Sequence, residues 1–191
     1  MRLARAVLIG MAFSAAGCAT LDRWFGDTQL TDGPATRPDP QVPYFPSTDE
    51  AVLGMLKLAG TGPNDVVYDL GCGDGRIVIS AAKDFGARGV GVEIDPAPLR
   101  MAVYNAKRAG VEDRVRFVRG DLFEADIGEA TVVTLFLFES LNHRLLPKLR
   151  KDLKPGTRIV AHRYGFGEDW PPEKTVEAGA SVLYLWTVPA R

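Results

Sequence analysis

Short apolar runs alternate with segments of helical apolar spacing from residue 47 to the end of the chain. The first such segment predicts a helix, because Ser47 and Glu50 match a capping box ahead of an apolar stripe. That stripe consists of Val52, Met55, Leu56 and Ala59. Five later apolar runs predict strands at 65–70, 89–94, 114–120, 129–138 and 157–164. Further helices are predicted at 75–86, 96–110 and 144–156.

The last two apolar runs, 173–179 and 181–190, have no helix between them and therefore predict an antiparallel pair of strands. The regular alternation before them predicts an α/β domain at 44–191, with a mostly parallel sheet and helices on both faces. Folds of this kind bind their ligands at the carboxyl ends of the strands.

The N-terminus has a different pattern. Arg2 and Arg5 precede an apolar run from Ala6 to Phe13, and the small residues of "SAAGC" follow it up to Cys18. This run is too short to cross a bilayer, which takes about 20 residues. The segment 1–18 resembles a bacterial lipoprotein signal, which implies lipid attachment at Cys18 and association with a membrane on a side left open. An ordinary signal peptide, another anchor and a misassigned start codon are alternatives.

Residues 19–43 separate this leader from the predicted domain. They contain few large apolar residues and have prolines at 34, 38, 40 and 43. Because no periodic apolar face can be drawn, the segment is predicted to be a flexible tether.

The composition of the chain excludes a fold held together by several disulfides and otherwise excludes few classes of protein. The chain has 191 residues, 23 basic and 24 acidic, for a net charge of -1, which does not indicate a nucleic-acid partner. It has two cysteines, Cys18 and Cys72, so a lipidated Cys18 leaves Cys72 without a partner.

Acidic residues end three predicted strands beside a glycine-rich turn. The turn "DLGCGDG" places Asp69, Gly71, Gly73 and Gly75 between a strand and a helix, where glycine lets the backbone approach a ligand closely. Asp69 suits a ligand that carries an ammonium group. Glu93 ends the second strand, where a carboxylate can accept both hydroxyls of a ribose. Asp121 ends the third and can accept from an adenine amine, with apolar contact to the ring predicted from two neighbours, Ile94 and Leu122.

Together "VVYDLGCGDG", "GVEID" and "GDLF" resemble the motifs of the seven-strand S-adenosylmethionine-dependent methyltransferases. This resemblance covers 44–191. It implies a Rossmann-like fold with sheet order 3-2-1-4-5-7-6 and an antiparallel last strand. It also implies that Asp69 and the loop from Gly71 through Cys72 and Gly73 to Gly75 hold the methionyl part, Glu93 the ribose and Asp121 the adenine.

A narrower resemblance concerns the acceptor. "PYFPS", "DLFEADI" and "RIVAHRYGFGEDWPP" are similar to the small protein-lysine methyltransferases related to the enzyme that modifies the ATP synthase c-subunit. It implies that Tyr44, Pro46 and Ser47 lie over the cofactor and favours a protein lysine as acceptor. A small-molecule methyltransferase and a non-catalytic exported module are the alternatives. The Asn/Asp-Pro-Pro-aromatic turn of many base-modifying enzymes is missing, so nucleic acid is not expected as a substrate.

Two side chains are candidates for handling the acceptor proton. Glu139 follows the fourth strand and could orient or deprotonate an amine, or could serve as an acid in the first turn of a helix. His162 ends the fifth strand and could accept a proton or form structural hydrogen bonds. Phe136 and Phe138 are interpreted as core residues, with an aromatic channel for the acceptor as the alternative. No metal site and no oligomeric state are predicted.

Overall fold

The computed structural model describes residues 31–32 and 45–190. The strands within these residues are β1 (Thr31–Asp32), β2 (Val66–Leu70), β3 (Arg88–Glu93), β4 (Val115–Arg119), β5 (Val132–Leu135), β6 (Arg158–His162), β7 (Lys174–Ala178) and β8 (Ser181–Thr187). The helices are α1 (Asp49–Leu58), α2 (Arg76–Phe85), α3 (Pro96–Ala109) and α4 (Glu139–Asp152), with a 3-10 turn at Gly167–Asp169.

All described strands join one sheet in the order β1-β4-β3-β2-β5-β6-β8-β7. Counted from β2, this is the order 3-2-1-4-5-7-6, and β8 is antiparallel to both of its neighbours while the other pairs are parallel. The predicted methyltransferase-type fold is therefore confirmed. Parallel strands meet with their carboxyl ends at one edge of the sheet, and the crossover helices leave that edge open for a ligand.

The outer edge of β4 is covered by β1. Thr31 and Asp32 pair in parallel with Val118 and Arg119. These two residues belong to the segment predicted as a flexible tether, so part of it forms an edge strand that pairs backbone groups of β4. The remainder of that segment lies outside the described residues, as do Tyr44 and the leader with Cys18.

Helices cover both faces of the sheet, as the alternation of patterns predicts. On one face, Tyr68 and Leu70 of β2 pack in the same cluster as Leu145 and Leu149 of α4. On the other face, Val67 packs with apolar residues of α1 and α2. The side chains of a strand alternate between the two faces of a sheet, and both faces are covered here. Every residue of β2 is therefore buried.

Two helix boundaries differ from the prediction. The N-cap of α1 is Thr48, whose Oγ1 accepts a hydrogen bond from the backbone N–H of Ala51 at 3.2 Å. The capping box expected at Ser47 is therefore wrong, because the Ser47 hydroxyl bonds a histidine instead. Helix α4 begins at Glu139, so Pro147 lies in its interior and costs the helix one backbone hydrogen bond.

Strand β5 ends at Leu135, three residues earlier than predicted. This earlier end frees the segment 136–138 to run along the carboxyl edge of the sheet before α4 begins. Among the residues that the structure describes, no helix is both long and apolar enough to cross a lipid bilayer.

Gly75→Ala is expected to lower the free energy of unfolding by about 2 to 5 kcal/mol. Gly75 caps α2 with φ of 77°, and a Cβ there would lie 2.8 Å from Phe117 and 2.9 Å from Ala102. Gly110→Ala is the matched control, because Gly110 has φ of 67° and no atom within 4 Å of its added Cβ. The control should lose only the backbone term of about 1 to 2 kcal/mol. Urea unfolding measures both losses, and equal losses would contradict the packing argument.

Candidate active site

A pocket of about 510 Å³ opens at the carboxyl ends of β2, β3, β4 and β5. Its walls are the segment before α1, the glycine-rich turn after β2, the turns after β3 and β4, and the start of α4. The predicted cofactor residues that line it are Ser47, Asp69, Gly71, Cys72, Glu93, Ile94, Asp121 and Leu122. The topology thus brings together residues that are up to 75 positions apart in the chain.

The carboxylate of Glu93 connects two turns of this pocket. Its Oε2 accepts a hydrogen bond from the backbone N–H of Gly73 at 2.9 Å, and its Oε1 accepts one from the backbone N–H of Asp95 at 2.9 Å. Each carboxylate oxygen can accept a second hydrogen bond. Glu93 can therefore hold the glycine-rich turn and still accept hydrogen bonds from a ligand. Gly73 and Gly75 shape this turn without lining the pocket.

Asp69 lies at the bottom of the pocket and is only 3% exposed. Burial raises its pKa to about 7, and the negative charges of Glu93 and Asp74 act in the same direction. A hydrogen bond of 2.8 Å from Thr134 Oγ1 opposes this shift and holds the carboxyl in place. A cationic group bound nearby would favour the ionised form of Asp69.

The turn after β4 forms another wall. Asp121 Oδ1 accepts a hydrogen bond from the backbone N–H of Phe123 at 2.9 Å. The guanidinium of Arg144, from α4, lies 3.9 Å from the centre of the Phe123 ring, and both residues line the pocket. Arg144 is exposed on its helix, and its side chain also reaches this wall of the pocket. Its spacing of three residues from Leu141, which also lines the pocket, is the signal that could have found it.

The side chain of Cys72 belongs to the core. A Cβ at Gly91 would lie 2.6 Å from the Cys72 sulfur, so the thiol packs directly on the β3 backbone. Burial raises the pKa of this thiol well above its usual value, with added repulsion from Asp69 and Glu93. Cys72 therefore contributes to the pocket as a neutral packing residue of the glycine-rich turn.

The segment Phe45–Ser47, called the lip below, closes one side of the pocket. Arg76 Nη1 donates a hydrogen bond to the Ser47 carbonyl at 2.6 Å, while its Nε and Nη2 donate to Asp74 at 2.9 and 2.7 Å. Neither Asp74 nor Arg76 is among the predicted cofactor residues, although Asp74 lies within the predicted glycine-rich turn and Arg76 directly follows it in "GCGDGR".

Neither candidate for proton transfer lines the pocket. The Glu139 side chain is 63% exposed and lies 3.7 Å from His143 Nε2. His162 is 3% exposed, and both of its ring nitrogens bond serine hydroxyls, Ser47 at 3.0 Å and Ser181 at 2.7 Å. Glu139 cannot contact an acceptor in the pocket directly, because its side chain lies beside His143. His162 cannot do so either, because it is enclosed by its neighbours.

Phe136 and Phe138 are not the core residues that their pattern predicts. Phe136 lines the pocket and Phe138 is exposed at the surface, because β5 ends before them.

Comparison with known proteins identifies the family. The model of the ANTKMT methyltransferase domain matches residues 69–174, which is more than half of the chain. The chain belongs to this family. It is an S-adenosylmethionine-dependent methyltransferase, which confirms the predicted enzyme class and cofactor.

Several relatives of this methyltransferase are known. It is 49% identical over 139 residues to a protein-lysine N-methyltransferase from Saccharolobus islandicus, an alignment that covers 72% of this chain and 86% of the relative. It is 31% identical over 150 residues to the lysine N-methyltransferase of the ATP synthase c-subunit from Mus musculus, covering 78% and 60%. The crystal structure of an RNA methyltransferase from Salinibacter ruber with S-adenosyl-L-homocysteine superposes with a TM-score of 0.75 at 52% identity, covering 77% and 95%.

The pocket of this methyltransferase fits its cofactor. A Cβ on Gly71, which has φ of 86°, would lie 3.2 Å from Leu137, so glycine keeps this wall open. Asp69 with the glycine-rich turn would hold the methionyl part, Glu93 the ribose hydroxyls and Asp121 the adenine amine. S-adenosylmethionine supplies a methyl group that is already activated on a sulfonium. The protein's own task is to align an acceptor with that group and to exclude water.

The affinity of the methyltransferase for S-adenosyl-L-homocysteine should rise about tenfold between pH 6 and pH 8. Asp69 is largely protonated below its pKa of about 7, and binding the ammonium group of the ligand favours the ionised carboxylate. Binding below pH 7 therefore includes the cost of releasing that proton, and this cost disappears as the pH rises through the pKa. Calorimetric titration at several pH values measures the effect. Asp69→Asn should bind more weakly and with no such pH dependence; an unchanged slope in this variant would assign the effect to another group.

Proposed function

We propose that this methyltransferase transfers a methyl group from S-adenosylmethionine to the side-chain amine of a lysine in a protein. The observation that carries the proposal is the 49% identity to a protein-lysine N-methyltransferase over 72% of the chain. The mouse enzyme that methylates a lysine of the ATP synthase c-subunit supports the same acceptor chemistry at a lower identity.

The chemistry of the pocket supports this acceptor. Carboxylates line the wall formed by the turns after β2, β3 and β4, whereas Phe45, Phe136 and Leu141 line the wall formed by the lip, the segment after β5 and the start of α4. The alkyl stem of a lysine side chain can pack against such an apolar wall. An acceptor that enters from this side would bring its amine towards the acidic wall, where the cofactor binds.

The acceptor amine must lose a proton before it can attack. At neutral pH this costs about 4 to 5 kcal/mol for a lysine with its usual pKa near 10.4. An apolar wall reduces this cost, because removing an ammonium group from water lowers its pKa. Since neither Glu139 nor His162 lines the pocket, we expect the apolar wall to contribute more to deprotonation than either of these side chains.

Incubation with tritiated S-adenosylmethionine and fractionated cell lysate tests this function. Label should enter material that is destroyed by protease, and acid hydrolysis should release it as methylated lysine. Glu93→Ala, which removes the carboxylate that supports the glycine-rich turn, should reduce the label at least tenfold, because it loses two hydrogen bonds at the cofactor site.

Three other outcomes of this assay would overturn the proposal. Label that is destroyed by ribonuclease would make RNA the acceptor, the substrate class for which the Salinibacter ruber relative is named. Label in low-mass material would indicate a small-molecule methyltransferase. Protein label recovered in an amino acid other than lysine would change the acceptor residue.

We also propose that the methyltransferase is attached to a membrane through a lipid on Cys18. The proposal rests on the motif "SAAGC" at the end of the apolar run. Wild-type protein should sediment with membranes and incorporate labelled fatty acid, and Cys18→Ser should lose both properties. Protease treatment of intact cells and of vesicles would then show which side the domain occupies. Wild-type protein that stays in the supernatant without label would refute the attachment.

A further inference from the structure

The imidazole of His162 is enclosed by three different parts of the chain. Its Nδ1 lies 3.0 Å from Ser47 Oγ in the lip, and its Nε2 lies 2.7 Å from Ser181 Oγ at the start of β8. Its ring lies against the ring of Phe136, with 4.0 Å between the centroids. One buried side chain at the end of β6 therefore contacts the lip, β8 and the segment after β5.

Two of these contacts reach pocket walls. Ser47 and Phe136 both line the pocket, the first from the lip and the second from the segment between β5 and α4. His162 itself does not line it. It can therefore influence a ligand only through these two neighbours.

The imidazole is suited to hold these neighbours in its neutral form. Burial lowers the pKa of His162, and the positive charge of Arg163 lowers it further. A neutral imidazole has one nitrogen that donates and one that accepts, and a serine hydroxyl can do either. Both serine contacts are then satisfied at once, with no buried charge.

The backbone directly after His162 is strained. Arg163 has φ of 68°, a left-handed conformation that is unusual for a residue other than glycine, and the backbone N–H of Tyr164 donates to the His162 carbonyl at 2.8 Å. The backbone N–H of Arg163 donates to the carbonyl of Val182 in β8 at 2.7 Å. Strain of this kind persists where the surrounding contacts determine the conformation, and here it fixes the end of β6 that carries the imidazole.

We propose that His162 is a positioning residue that holds the lip against the pocket and thereby sets the affinity of the methyltransferase for its cofactor. It acts through the hydrogen bond to Ser47, while the contact with Phe136 encloses the ring. It does not exchange a proton with the acceptor. The proposal depends on cofactor binding alone, so it holds whichever acceptor the enzyme uses.

Two amide substitutions separate the two hydrogen bonds of the ring. The side-chain amide of His162→Asn can take the place of Nδ1 and retain the bond to Ser47. The longer amide of His162→Gln can take the place of Nε2 and retain the bond to Ser181. Both variants lose the ring contact with Phe136 and should lower the melting temperature. Only the Gln variant also loses the bond to Ser47, which lines the pocket. If His162 positions the lip, only this variant should therefore weaken cofactor binding.

Calorimetric titration with S-adenosyl-L-homocysteine provides the measurement. We expect His162→Gln and Ser47→Ala each to weaken binding about tenfold, which is the loss of one hydrogen bond of about 1.4 kcal/mol. His162→Asn should stay within about threefold of its parent. Combining Ser47→Ala with His162→Gln should weaken binding no more than either change alone, because both remove the same contact.

A control on the same strand separates positioning from stability. Thr157 precedes β6, is buried, and donates from its Oγ1 to the Ala130 carbonyl at 3.2 Å, at the opposite end of the strand from His162. Thr157→Val should lower the melting temperature and leave the affinity unchanged.

Equal affinities for His162→Asn and His162→Gln would overturn the proposal. If His162→Gln fails to fold, the cofactor affinity of Ser47→Ala is compared with that of Thr157→Val. Equal affinities in these two variants would also overturn the proposal.

Discussion

The two hydrogen bonds accepted by Glu93 are the constraint on which the pocket depends. They join the glycine-rich turn at Gly73 to the turn after β3 at Asp95. Backbone bonds from Gly71 and Cys72 to the Val92 carbonyl reinforce the same junction. A carboxylate is suited to this position because it has acceptor sites left over for a ligand.

The same junction carries an electrostatic cost. Asp69, Glu93 and Asp121 line one pocket. Burial raises the pKa of Asp69, and the negative charge of Glu93 raises it further. A cofactor with an ammonium group and several hydrogen-bond donors relieves part of this repulsion. The carboxylates therefore repel one another in the empty pocket and are stabilised when the cofactor binds. The side chains of Phe45, Phe136 and Leu141 form an apolar part of the lining that suits the desolvation of an amine. One pocket thus combines two environments, because the acidic residues end β2, β3 and β4 while the apolar ones come from the lip, the segment after β5 and the start of α4.

Much of the fold could be predicted because its signals are local. Strands β2 to β6 are short apolar runs, and the helices between them carry apolar stripes and end at glycines such as Gly86 and Gly110. The cofactor side of the pocket could be predicted for a related reason. Its acids stand at strand ends, and a parallel topology necessarily brings those ends together. The sheet order itself came from the resemblance of the motifs to a known family.

The sequence by itself determined the alternation of strands and helices, the glycine-rich turn and the acids at the ends of β2, β3 and β4, because each depends on residues close together in the chain. Only the tertiary structure decided what His162, Arg144 and Phe136 do. His162 meets Ser47 across 115 residues, and Arg144 meets Phe123 from another element. Phe136 faces the pocket because β5 ends one residue before it. Spacing along the chain cannot show such contacts, since the packing of separate elements creates them.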